Sequence, residues 1–164
     1  MKRTAQEWIA TLGLQPHVEG GYYRQILKAD ETIRNAKGEL RALYTSIYFL
    51  LEDTNPSHFH RLQSDEVWYF HAGDSLTIHL ILPDGEYKTI LLGADLQNGA
   101  QLQAFVPKGA IFGSSIEDGE YALVSCMVSP GFEYADFELF ERNALVAQYP
   151  AHADIIRKLT RATQ

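Results

Sequence analysis

His58 and His60, one residue apart, and Glu66 a short way downstream are residue types that ligate transition metals or exchange protons near neutral pH. On an extended chain, side chains two positions apart share a face, so His58 and His60 point together and Phe59 points away. A following strand that turns Glu66 to the same side would complete a two-histidine, one-carboxylate set. Such a set holds one divalent ion (Fe, Mn, Ni or Zn) and leaves positions open for a ligand. Without metal, His60 and Glu66 are the candidate acid-base residues, because a carboxylate orients an adjacent imidazole and keeps it charged. The competing reading is a strand whose polar face meets solvent.

Positioning these groups is the task of the surrounding elements. Tyr44 to Leu51 is β-branched and aromatic, and Asp53-Thr54-Asn55-Pro56-Ser57 ends it as a turn. Further strands are expected over 58–62, 66–71, 76–82, 87–92, 101–106, 111–115 and 121–128, separated by Gly-, Asp-, Asn- and Pro-containing turns. Short strands at this spacing predict an all-β sandwich or barrel. Thr4 and Glu7 have the spacing of a capping box, and Gly13 supplies a stop, which predicts a short N-terminal helix. The tail from Glu141 to Thr160 has helical periodicity interrupted by Pro150, which predicts two short helices outside the β-core.

Composition narrows the function further. The chain has 164 residues, 46% hydrophobic and 21% charged, enough for one globular core, and no repeat or linker divides it, so residues 1–164 are read as one domain. A net charge of -7 without a basic run opposes binding to phosphate backbones, so nucleic acid is not an expected partner. No apolar run approaches the roughly 20 residues of a membrane helix, and the N-terminal stretch lacks the apolar segment of a signal peptide, so a cytoplasmic protein without a membrane partner is expected. The single cysteine, Cys126, lies in an apolar strand and is read as a buried structural thiol. His17 is read as a loop residue, His71 and His79 as outward-facing, and His152 as lying near the last helix.

Aromatic residues make up 12% of the chain. Tyr48, Trp68, Phe70 and Phe112 are candidate walls of a pocket that stacks on sugar rings or planar groups, with core filling as the alternative. Glu19-Gly20-Gly21-Tyr22-Tyr23-Arg24 brackets two conformationally free glycines with opposite charges. It reads either as a loop over the barrel mouth, with Glu19 and Arg24 as ligand-binding residues and Arg24 recognising a carboxylate or phosphate, or as a turn into an edge strand.

The segment containing His58, His60, Glu66 and Gly73 resembles the first motif of the cupin superfamily, with Glu52 in place of the usual leading glycine. The second cupin motif is half present: Pro107 and Gly109 match, whereas Phe112 stands at the histidine position and Ile116 at the asparagine position. The blocks from Val18 to Arg24, Ser46 to Leu51 and Ser129 to Leu139 are similar to one cupin subfamily without an assigned reaction. The resemblance implies a double-stranded β-helix, or jelly-roll barrel, a homodimer, and a small-molecule ligand in the barrel mouth. It implies no settled reaction; subfamily members have been likened to sugar-nucleotide epimerases, isomerases and storage proteins, so the expectation is an isomerase- or epimerase-like enzyme acting on a sugar-like or carboxylate compound, or alternatively a non-catalytic binding protein whose metal site is incomplete. Phe112 in place of a histidine removes one ligand, so the metal is expected to be weakly held or absent.

Overall fold

The computed structural model describes residues 3–162; Met1 and Lys2, the first residues of the stretch read for a signal peptide, lie outside them. Helix α1 (Ala5–Leu12) opens the fold with the expected capping box, in which the Thr4 side chain accepts from the Glu7 N–H. Strands β1 (Gln15–Pro16), β2 (Tyr22–Lys28), β3 (Thr32–Arg34), β4 (Leu40–Ala42) and β5 (Thr45–Glu52) follow. Then come β6 (Ser57–Arg61), β7 (Asp65–Gly73), β8 (Leu76–Ile81), β9 (Tyr87–Leu92), β10 (Gln103–Val106), β11 (Ile111–Ser115), β12 (Tyr121–Ser129) and β13 (Glu138–Leu139). Helices α2 (Arg142–Gln148) and α3 (Ala153–Lys158) close the chain.

Two antiparallel sheets face each other. One has the order β1-β2-β5-β12-β7-β10, the other β13-β6-β11-β8-β9, and β3 and β4 form a separate hairpin. Because side chains alternate along a strand, each sheet buries one row between the sheets and a second row under the flanking helices. Between the sheets lie Phe49, Trp68, Ile78, Leu92, Phe112 and Val124. Leu50, Tyr121 and Leu123 face the other way and pack under α1, while Phe59, Ile81 and Ile111 pack under α2 and α3. This is the all-β sandwich or barrel that the strand pattern predicts, in the jelly-roll form that the resemblance implies. Burial on both faces explains why β5 and β12 read as nearly continuous apolar runs rather than strict alternations.

The segment Tyr22 to Lys28 takes the turn-and-strand alternative: β2 pairs with both β1 and β5, so the glycine loop feeds the large sheet. His79 departs from its expected outward position. It is buried beneath the C-terminal helices, where Nδ1 meets the Tyr87 hydroxyl at 2.6 Å and Nε2 meets Ser115 Oγ at 2.9 Å. No helix of the described residues is long and apolar enough to cross a membrane.

Candidate functional site

A cavity of about 290 Å3 opens between the sheets. Its floor holds His17, Glu19, His60, Glu66 and Cys126; Tyr23, Ile47, Leu62, Val128 and Phe132 make apolar walls; Lys28, Glu133 and Tyr134 also line it. Three strands and one loop converge on the floor. β6 turns His60 inward because Phe59 is claimed by the helix-covered face. β7 turns Glu66 inward in the same row as Trp68, and β12 sets Val128 opposite Glu66 and Cys126 opposite Trp68. The loop before β2 delivers His17 and Glu19.

That loop folds as it does because of its glycines. Gly20 has φ 110°, and a Cβ there would lie 1.9 Å from the Pro56 carbonyl oxygen, so the backbone approaches β6 more closely than any side chain permits. The approach lets the His58 N–H donate to the Glu19 carbonyl at 2.7 Å, and His58 Nδ1–H donates to the same oxygen at 2.6 Å. The Glu19 N–H in turn donates to His17 Nδ1 at 3.1 Å, and the Ser57 hydroxyl donates to Glu19 Oε1 at 3.2 Å. Glu19 is only 7% exposed, so this carboxyl is buried.

The central contact is His60 Nε2 to Glu19 Oε2 at 3.1 Å. His60 Nδ1 lies 2.7 Å from the His58 carbonyl, which can only accept, so Nδ1 carries the proton and Nε2 of the neutral ring is an acceptor. One proton therefore occupies the Glu19–His60 contact. Burial pushes the His60 pKa down to about 3, chiefly by desolvation, and raises that of Glu19 well above the ordinary range, with the Glu66 carboxylate as a second cause. Both shifts place that proton on Glu19. Burial likewise raises Glu66 to about 8, partly offset by the Cys126 thiol and the Trp68 N–H that face it. Trp68 Nε1 faces Glu66 without completing a hydrogen bond of good geometry to any of the described residues. His17, desolvated, falls to about 4. At neutral pH the floor thus holds neutral imidazoles and protonated carboxyls, an arrangement that donates protons from two sides and accepts them at His60 once Glu19 ionises.

The residues singled out from the sequence divide into three groups. His60, Glu66 and Glu19 come together on the floor. Trp68 and Phe112 fill the core beside it and Phe70 packs against that core: the Phe112 ring lies 4.2 Å from the His60 ring, and Trp68 packs on Phe49 and Phe112. Tyr48 and Arg24 lie on the opposite face of the sheet. Tyr48 packs with the cluster under α1, and Arg24 Nη1 donates to the Leu12 carbonyl at 3.0 Å, so Arg24 anchors the end of that helix rather than overhanging the cavity.

The structure does not gather His58, His60 and Glu66 into a three-donor cluster. His58 spends Nδ1 on the Glu19 carbonyl and does not line the cavity, His60 Nε2 faces Glu19, and Phe112 packs on the His60 ring. Among the described residues no three His, Cys, Asp or Glu side chains are arranged to hold a metal ion. The donors present do not fit the divalent ion that the motif suggests. Two floor residues were not among the site candidates: His17, whose signal is its place two residues before Glu19, and Cys126, which is buried as expected but also lines the cavity.

Comparison with known proteins places these features in context. The family described as Cupin superfamily (DUF985) matches residues 6–140. A hypothetical protein from Leishmania major is 45% identical, with a TM-score of 0.94 over 98% of this chain and 100% of that one. Protein SO0799 from Shewanella oneidensis is 49% identical, with a TM-score of 0.92 over 98% of this chain and 99% of that one. The uncharacterized protein YML079W of Saccharomyces cerevisiae is 29% identical over 146 residues, 80% of this chain and 72% of that protein. Bacillus subtilis oxalate decarboxylase shares the fold at 15% identity, with a TM-score of 0.55 over 89% of this chain and 37% of that one.

Proposed function

The chain belongs to the Cupin superfamily (DUF985) family, and from that premise we propose that it is a small-molecule enzyme catalysing isomerase- or epimerase-like proton transfer on a sugar-like compound held between its sheets. The observation that carries this reading is the 3.1 Å contact between His60 Nε2 and Glu19 Oε2 on the floor of a cavity that also holds Glu66. Transfer of the shared proton from Glu19 to His60 leaves a Glu19 carboxylate able to take a proton from a carbon next to a carbonyl. The Glu66 O–H donates its proton to the developing enolate oxygen. Return of a proton to either face of the carbon, with Glu66 recovering its own, gives the isomer or the epimer and leaves the protein unchanged. His58 and Ser57 hold Glu19 in register, and Phe112 fixes the His60 ring.

A carboxylate ligand loses its support once Arg24 is occupied at α1, so a hydroxyl- and carbonyl-bearing compound is the better match. The dimer and the cytoplasmic location belong to the same reading; exposed Leu102 and Phe105 at the edge of the larger sheet offer apolar surface to a second copy, and light scattering at twice the chain mass would support it. The non-catalytic alternative draws on one observation, the replacement of a metal donor by Phe112.

Incubation in D2O with a panel of aldoses, ketoses and sugar nucleotides separates the two. The enzyme reading expects loss of a ligand C–H signal by NMR with the parent protein and none with Glu19→Gln. Equal, background exchange with both proteins across the panel would leave only the binding role.

A further inference from the structure

The cavity floor contains two buried carboxyls, and among the described residues no lysine or arginine pairs with either. Glu19 and Glu66 are 7% and 6% exposed, and Glu66 enters no ion pair among the described residues. The side chains facing them are the His17 and His60 rings, the Ser57 hydroxyl, the Trp68 N–H and the Cys126 thiol, none of them a lysine or arginine. Both rings are neutral where they lie, and the thiol's pKa is pushed well above its ordinary range by burial and by the two carboxylates. The one lysine that lines the cavity, Lys28, is engaged with Glu133 at 3.7 Å. For want of a counter-charge burial keeps both carboxyls protonated, and an occupant that brings positive charge would let a carboxyl ionise against it.

The walls point the same way. Tyr23, Phe132 and Tyr134 surround the space above the carboxyls, with the Phe132 and Tyr134 rings nearly perpendicular at 5.1 Å between centroids. Ring faces next to buried carboxyls are the recognition chemistry of an organic ammonium group, which they attract through the ring quadrupole while the carboxyl accepts its N–H bonds. A bare divalent ion would instead need three or more donors at short range, and these are not gathered here. The net charge of -7 adds a long-range preference of the same sign.

We propose that this cavity takes a compound carrying an ammonium group, seated against Glu66 and Glu19 and enclosed by Tyr23, Phe132 and Tyr134. This deepens the small-molecule reading above, on which it rests for the choice of site, by naming the charge of the ligand: an amino sugar or a similar amino carbonyl compound rather than an anion.

The test uses three compounds of one shape and different charge: cyclohexylamine, cyclohexanol and cyclohexanecarboxylate, titrated into the full chain near neutral pH by calorimetry. The ammonium compound is expected to bind roughly tenfold or more tighter than the alcohol, and the carboxylate most weakly. Glu66→Gln removes the preference for the amine over the alcohol while the alcohol still binds. Because Glu66 lies in the core, a second variant keeps the test independent of folding: Lys28→Met, on the partly exposed rim, is expected to tighten amine binding severalfold by freeing Glu133. Equal binding of amine and alcohol, tighter binding of the carboxylate, no detectable amine binding, or weaker amine binding by Lys28→Met would each overturn the proposal. Amine preference without deuterium exchange on any compound would remove the catalytic reading and leave this one standing. Exchange on neutral sugars without amine preference would do the reverse.

Discussion

Glu66 keeps its proton at neutral pH because ionising it would place a charge between Trp68 and Cys126 with no cation to answer it. The consequence for stability has a definite sign. Between its ordinary pKa of 4.5 and its folded value of about 8, the folded protein holds a proton that the unfolded chain has released, so this residue's stabilisation is present below that window and is lost as pH rises through it. His17 and His60 act oppositely: their folded values of about 4 and about 3 lie below the ordinary 6.5, so stability declines as pH falls below about 6.5. Urea denaturation of Glu66→Gln should therefore show a gain over the parent at pH 9, of a few kcal/mol at most, that disappears near pH 5. A gain that grows toward acid would contradict the assignment. Sequence spacing placed His60 and Glu66 on facing sides of one space, since strand alternation is a local rule. It could not place His58, whose ring is drawn away by the carbonyl of Glu19, a residue 39 positions distant in the chain.

At the scale of elements, the glycine loop and β6 act as one unit. Gly20→Ala would drive a methyl group into the Pro56 carbonyl and force Glu19 away from His60. It should cost about 1–3 kcal/mol and abolish ligand-dependent exchange, measured together by denaturation and NMR. Full activity in this variant would show that the docked loop is unnecessary. Arg24 gives the converse prediction. Since it fastens the α1 terminus, Arg24→Ala should lower Tm by about 2–4 °C and leave ligand affinity unchanged. A large loss of affinity would restore Arg24 to the cavity. The capping box at Thr4 and the strand positions were readable because turns and caps are written in short segments. The facing of β2 was not, because its burial depends on pairing with β5, and either face of its mixed sequence was open.

At the scale of the whole molecule, two sheets and three helices divide the apolar residues into a central cluster and two outer ones, leaving the cavity at the end of the central cluster where Glu19, His60 and Glu66 interrupt it. The outer clusters make the scaffold rigid. Phe59, fully buried under α2 and α3, directly precedes His60, so Phe59→Ala should cost about 3–5 kcal/mol in urea denaturation and loosen the His60 ring as well. A cost below 1 kcal/mol would mean that the C-terminal helices contribute little. The all-β class followed from the even spacing of turns and the missing metal donor from Phe112, whereas only the assembled sheets show Glu19 meeting His60 Nε2.

One proton shared by Glu19 and His60 underlies the proposed chemistry, and nitrogen-resolved NMR of the His60 ring observes it directly. The arrangement predicts a neutral ring at pH 7 with the proton on Nδ1 and an unprotonated Nε2 that stays so down to about pH 4. A ring protonated on Nε2, or one that titrates near 6.5, would contradict it.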